Sequence, residues 1–201
     1  HDVGIYENLI LGIHFLLLKK CKIFDEKTIV RCYTGRSMRI NVRKHERRGY
    51  QSIKMSNILE KQFLKQRNDF EKSCVERDKK YHFPQGVIFE TDIAYAKDKN
   101  KAHRLDRYRP KGKEAQILPV IINVHGGGLL LGNKEFNKYF CALLSKKGFL
   151  VYSMEYRLIP DCTFFDQLRD IFLAMDFVKE HAAADGGDLS HVYLVGDSGG
   201  A

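Results

Sequence analysis

The sequence predicts an α/β fold: a mainly parallel sheet, opened by an antiparallel hairpin, with helices on both faces. Three observations predict it. From residue 86 onward strand-like and helix-like patterns alternate, as βαβ units require. Residues 119–124 form a nearly continuous β-branched run, the pattern of a strand buried on both faces. Finally, two strand-like segments run straight into glycine-rich turns, His125-Gly126-Gly127-Gly128 and Gly196-Asp197-Ser198-Gly199-Gly200.

The elements follow in order. Residues 86–95 read as a strand, 97–101 as a polar turn, and 103–108 as a second strand paired with the first. Lys111-Gly112-Lys113 makes another turn before the run at 119–124. Phe136, Tyr139, Phe140, Leu143 and Leu144 recur at helical spacing, and Gly148 ends that helix. Residues 149–154 are a strand. Phe164, Leu168, Ile171, Phe172, Met175 and Val178 mark a second helix, closed by Gly186-Gly187, and 192–195 are the last strand.

The first 80 residues differ in character. They hold 19 Lys and Arg against 10 Asp and Glu, whereas the remainder is balanced at 15 against 15. The whole net charge of +9 therefore sits in this part. Arg43, Lys44, Arg47 and Arg48 form a basic run that suits a solvated face, and no nucleic-acid motif accompanies it. Ile5, Leu9, Ile13, Leu16 and Leu17 fit one helix face, residues 28–33 a short strand, and Ile58, Leu59, Phe63, Leu64 and Phe70 another helix. Residues 1–83 are thus expected to be a basic, mainly helical flanking or capping region, and 84–201 the start of a catalytic domain.

Composition narrows the class. An apolar fraction of 44% is enough for a buried core. The five cysteines, Cys21, Cys32, Cys74, Cys141 and Cys162, are odd in number and include no CxxC pair. Neither a disulfide framework nor a zinc site is suggested, and a reducing cytoplasm is expected. The apolar stretch at 9–18 is about half the length a membrane-spanning helix needs. Acidic residues precede it and Lys19 and Lys20 follow, the reverse of a signal peptide. The chain begins at His1 rather than Met, which leaves a preceding segment open.

The two glycine-rich turns carry the chemistry. G-x-S-x-G directly after a buried strand is the spacing of a nucleophile elbow, in which small neighbours let the backbone pass close to the serine. A glycine-rich turn between strand and helix also suits a phosphate. The second motif separates the two readings. Three glycines after a strand leave backbone amides unshielded, and such amides stabilise the negative charge that acyl transfer places on a carbonyl oxygen. Neither turn has the G-x-G-x-x-G or GK[ST] spacing of a nucleotide site.

HGGG, then Glu155-Tyr156-Arg157-Leu158 with Pro160, then Asp170 in a helix, then GDSGG resembles the bacterial hormone-sensitive-lipase-like esterases of the α/β-hydrolase fold. The resemblance covers about residues 84–201. It implies a carboxylic-ester hydrolase working through an acyl-enzyme, with Ser198 as nucleophile and no metal or cofactor. It places the oxyanion hole at Gly126, Gly127, Gly128 and Gly199, with Gly127, Gly128 and Gly199 as donors and Gly126 shaping the turn. His125 supports the oxyanion loop. The family usually has alanine where Gly199 stands and aspartate where Glu155 stands.

In that fold the acid and then the base follow the serine in sequence, so both are expected beyond Ala201. His181 and His191 precede the serine and are excluded as bases, and Asp197 is excluded as the triad acid. The 201-residue chain alone is expected to be inert, with an open apolar edge at the strand 192–195. GDSGG also occurs in trypsin-like proteases, but those need an all-β chain and an Ala-Ala-His-Cys histidine, and residues 181–184 have another order. The expected partner is a small-molecule ester, not nucleic acid or a membrane. The contrasting hypothesis is a non-catalytic binding module on the same fold.

Overall fold

The computed structural model describes residues 57–201 together with three short strands, β1 (Leu16–Leu17), β2 (Ile29–Arg31) and β3 (Ser37–Arg39). The basic run at Arg43 to Arg48 lies outside the described residues. Beyond it follow α1 (Asn57–Asp78), β4 (Val87–Ala94), β5 (Arg104–Pro110), β6 (Leu118–Val124), α2 (Lys138–Lys146), β7 (Leu150–Met154), α3 (Phe164–His181) and β8 (Gly187–Gly196). A 3-10 turn at Ser198–Gly200 follows β8.

Six strands form one sheet in the order β1-β8-β6-β7-β5-β4. The pairs β6·β7 and β6·β8 are parallel, while β4·β5, β5·β7 and β1·β8 are antiparallel. The sheet is therefore mixed, and its parallel part is the centre that bears the two glycine-rich turns. β2 and β3 pair separately and antiparallel. Right-handed crossovers explain the layering. The chain steps from β6 to β7 in one direction across the sheet and from β7 back past β6 to β8 in the other. The two connecting helices consequently lie on opposite faces.

Alternation along the central strands feeds both layers. Val120, Ile122 and Val124 join Leu150, Tyr152 and Met154 under α3, whose Ala174, Met175 and Val178 complete that core. Ile121 and Val151 face the other way, against Cys141 and Ala142 of α2. This is why residues 119–124 have no polar face to show. Cys141 is fully buried and its thiol is pushed up to about 12 by desolvation, which keeps it an inert packing group. Among the described residues Cys74, Cys141 and Cys162 are free thiols.

Helix ends follow local chemistry. Thr163 caps α3 through a capping box: its hydroxyl accepts from the Asp166 amide at 3.2 Å, and the Asp166 carboxylate accepts from the Thr163 amide at 2.9 Å. Such a cap contributes about 1 kcal/mol. Gly148 follows α2 at φ 102, the left-handed turn expected after a helix.

Two expectations are corrected. Leu16 and Leu17 are not helical; they pair antiparallel with Gly196 and Val195. The unpaired N–H and C=O groups on the outer side of β8 offer a hydrogen-bonding template, which a helical periodicity of leucines does not announce. For the same reason the edge of β8 is not wholly open, because β1 covers its end. Among the described residues no helix is long and apolar enough to cross a membrane.

Candidate active site

The register of the sheet centre assembles the site. β6 and β8 are parallel neighbours, and Val124 stands opposite Gly196. The chain leaves both strands at the same level, so the glycine-rich loop after β6 and the serine turn after β8 start side by side. Open α/β sheets bind ligands at this carboxyl end of their parallel strands.

The serine turn is tight. Asp197 is still extended, whereas Ser198 sits at φ 49 in the left-handed region, with its side chain exposed. A non-glycine residue there is uncommon, and such strain clusters at functional sites. Both flanking glycines are required by space. A Cβ on Gly196 would lie 2.0 Å from the Gly200 carbonyl oxygen, and one on Gly200 would lie 2.4 Å from that of Val124. Hydrogen bonds from the Gly200 amide to the Asp197 carbonyl, at 2.8 Å, and from the Ala201 amide to the Ser198 carbonyl, at 3.2 Å, close the turn.

The loop after β6 folds back on itself. Gly127, Gly128 and Leu129 have φ values of 125, 62 and 69. The amides of Leu130 and Leu131 both donate to the Gly127 carbonyl, at 3.2 and 3.0 Å. The loop end returns so closely that a Cβ on Gly132 would meet the Gly126 carbonyl oxygen at 2.5 Å. Gly128 and Gly199 approach each other across the two turns: a Cβ on Gly199 would stand 3.0 Å from the Gly128 nitrogen. Glycine at 199, in place of the more usual alanine, suits this close approach. Ser198, Gly128 and Gly199 are all exposed, on a common open surface.

Asp197 joins the two turns. Its Oδ1 accepts from the Gly126 amide at 3.0 Å and from Asn137 Nδ2 at 2.7 Å. The Gly126 N–H is therefore engaged by Asp197. A Cβ there would also strike Asp197 Oδ2 at 2.4 Å. Asn137 has no signature in the sequence, and neither does the carboxylate's direction.

His125 is fully buried and stacks on Tyr156 with ring centroids 4.3 Å apart. The Tyr156 hydroxyl donates to the His125 carbonyl at 2.8 Å. His125 Nδ1 bonds the Gly126 carbonyl at 2.8 Å, while Nε2 stands 3.3 Å from Glu155 Oε1, outside hydrogen-bond alignment. Glu155 Oε2 accepts from the Lys134 amide at 2.9 Å, and the Lys134 carbonyl accepts from Ser153 Oγ at 2.9 Å. The segment after the loop is thus pinned on both sides. Lys134 itself is buried, with its ammonium 3.0 Å from the buried Asp106 and 3.1 Å from Asp92.

Three other described histidines, His103, His181 and His191, are engaged elsewhere. His181 Nδ1 bonds the Phe177 carbonyl, and His191 Nδ1 faces Asp188 and Ser190. His103 is buried between two carboxylates, 2.7 Å from Asp98 Oδ2 and 3.1 Å from Asp170 Oδ1. Asp170, wholly buried, also accepts from the Arg157 amide, Nε and Nη2. This cluster ties α3 to the loop after β7. Among the described residues no group of three or more His, Cys, Asp or Glu could hold a metal ion. An open cavity of about 530 Å³ lies beside the loop end, lined by Arg67, Gly132, Asn133, Tyr156, Leu158 and Asp161 among others.

The space at Gly127 yields an expected outcome. A Cβ there would lie 2.0 Å from the Leu131 carbonyl oxygen, at a φ that L-residues avoid. Gly127→Ala must displace the loop. Ester turnover by the complete protein is expected to fall on the order of 100-fold, as for loss of one oxyanion donor. Wild-type turnover in a steady-state assay of this variant would show that the loop's shape is irrelevant to the reaction.

The chain is similar to a known family profile and to several esterases. The BD-FAE family profile matches residues 105–201. The isoprenylcysteine alpha-carbonyl methylesterase of Arabidopsis thaliana is 32% identical over 99 residues, spanning 49% of this chain and 23% of that protein. Esterase B of Lactobacillus rhamnosis, in a crystal structure with a C4-C4 SN3 tributyrin phosphonate, superposes with a TM-score of 0.62 at 32% identity. That match covers 70% of this chain and 47% of esterase B. A bacterial heroin esterase gives a TM-score of 0.55 at 27% identity, over 63% of this chain and 39% of the other. The chain spans about a quarter of the length of the curated methylesterases it matches.

Proposed function

We propose that this chain, which has an α/β-hydrolase fold and is similar to known esterases, carries the nucleophile and oxyanion hole of a serine carboxylic-ester hydrolase. Ser198 Oγ attacks the ester carbonyl carbon while a base accepts its proton. The carbonyl oxygen becomes an oxyanion facing the N–H groups of Gly127, Gly128 and Gly199. The alcohol leaves with the proton, and water then adds to the acyl-enzyme and releases the acid. In this reading the acid and the base follow the serine in sequence, in the order of the fold. The observation that carries this reading is the in-register pairing of Val124 with Gly196, which brings the Gly128 nitrogen against Gly199 beside a left-handed Ser198.

The substrates in this reading are short-chain or acetyl esters, small molecules rather than nucleic acid or a lipid surface. The tributyrin phosphonate on esterase B supports that class. The free thiols at Cys74, Cys141 and Cys162 suit a reducing cytoplasm.

A phosphonate probe tests the chemistry without knowledge of the natural ester. Incubating the complete protein with a fluorophosphonate is expected to add one adduct at Ser198 and to extinguish p-nitrophenyl acetate hydrolysis in step. Labelling elsewhere, with Ser198 unmodified and activity lost, refutes Ser198 as nucleophile. No adduct and no hydrolysis would favour the non-catalytic binding module.

A further inference from the structure

The oxyanion loop holds three successive residues in the left-handed region, and the third is a leucine. The glycines adopt that conformation freely; Leu129 does not. What keeps it there is a set of donors from outside the loop. The Leu129 carbonyl accepts from the Ile159 amide at 3.0 Å and from Gln167 Nε2 at 2.9 Å. The next carbonyl, that of Leu130, accepts from Arg67 Nε at 3.0 Å.

Arg67 belongs to α1, remote in sequence from the loop. Its guanidinium fills the seam between the oxyanion loop and the loop after β7. Beyond Leu130, Nη2 donates to the Ile159 carbonyl at 2.6 Å and Nη1 meets Asp161 Oδ2 at 2.7 Å. The side chain is 15% exposed. The planar fork meets three acceptors in three directions at once, which an ammonium on a flexible stem cannot do. The helix that delivers it is fixed in turn. Phe70 packs on Phe136 at 5.1 Å, Arg77 lies over the same ring at 5.2 Å, and Lys138 pairs with Asp78.

We propose that Arg67, together with Gln167, is a positioning residue that holds the oxyanion loop in its donor-presenting shape, so that α1 controls transition-state stabilisation. The inference rests on the esterase reading for its catalytic consequence, but the clamp itself is a structural claim with its own readout. Small displacements of such groups cost much, since a shift of about 1 Å at a catalytic centre can cost roughly 100-fold in rate.

The test compares Arg67→Met, which keeps the stem and removes the fork, with Arg67→Lys and Gln167→Met, all in the complete protein. Amide hydrogen exchange of Leu130 and Leu131 is read beside steady-state kinetics on p-nitrophenyl acetate. Arg67→Met is expected to speed exchange at these two amides about tenfold while those of β6 and β7 stay unchanged. The kcat is expected to fall roughly ten- to a hundredfold with KM within about twofold, and Arg67→Lys to fall between. Affinity for a trifluoromethyl ketone, which forms the oxyanion, should drop in step with kcat/KM. Unchanged exchange, or a raised KM with kcat intact, overturns the proposal; the latter would make Arg67 a substrate contact in the adjoining cavity. If Arg67→Met does not fold, Arg67→Lys and Gln167→Met carry the same two readouts. A wild-type protein that hydrolyses no ester would sink the esterase reading, while the exchange result would still decide the clamp.

Discussion

Replacing Ser198 by alanine is expected to lower short-chain ester hydrolysis by the complete protein by roughly four orders of magnitude or more, with the fold intact. The first half of the expectation follows from chemistry. Amides and a bound water can still stabilise an oxyanion, but no acyl-enzyme forms without the hydroxyl, and only residual catalysis remains. The second half follows from the backbone. Ser198 is exposed at φ 49, and alanine presents the same Cβ to the same strained turn, so neither packing nor strain changes. Circular dichroism and the melting midpoint should therefore match wild type. Turnover within tenfold of wild type would mean that another side chain is the nucleophile, and the assignment of the elbow would fall with it.

The second large effect is on stability. Asp170→Ala should destabilise the protein by about 3–5 kcal/mol, the usual cost of leaving one half of a buried ion pair without its partner. Asp170 is fully buried, and four donors converge on it: the Arg157 amide, Nε and Nη2, and His103 Nε2. The hydrogen bonds from Arg157 to the Asp170 carboxylate raise the guanidinium above its ordinary pKa; without that partner the arginine still keeps its charge, because a guanidinium is not deprotonated in proteins. Arg157 retains 26% side-chain exposure, and water reaching it moves the expectation toward the lower figure. Equilibrium denaturation of the complete protein in urea measures this directly. A loss below about 1 kcal/mol would show that Arg157 and His103 find other partners and that the cluster is not what joins α3 to the sheet.

The parts of this protein legible in its sequence are those dictated by the backbone or by burial. The run at 119–124 is apolar but for Asn123, which bonds Ser153, because both faces of β6 are covered. The glycines at 127, 196 and 200 stand where a Cβ would strike a carbonyl oxygen. Such requirements leave few alternatives, and the residues show them directly. Strand order is different: nothing in β5 announces that its second edge pairs antiparallel with β7. The leucines at 16 and 17 pair with β8 although they fit a helical stripe, because a helical stripe and an edge strand share the same apolar residues. The polar supports escape for another reason. Arg67, Asn137 and Gln167 act through carbonyls or carboxylates from distant segments, and a hydrogen bond across such a separation leaves no period or spacing. Asp197 is legible in the sequence only as a residue excluded as the acid; nothing there shows that its carboxylate joins the two turns.

The parallel register that sets Val124 opposite Gly196 also dictates when the site can exist. The two halves of the constellation are separated in sequence by α2, β7 and α3. Contacts of that contact order form late in folding, because loop closure is unfavourable before the strands reward it. On a ribosome adding about 5–20 residues per second, the glycine-rich loop is made roughly 4–14 s before the serine. Through that interval the Gly126 amide has no Asp197 to receive it, so the contact that joins the two glycine-rich turns arrives with the pairing of β8 on β6 and not by degrees.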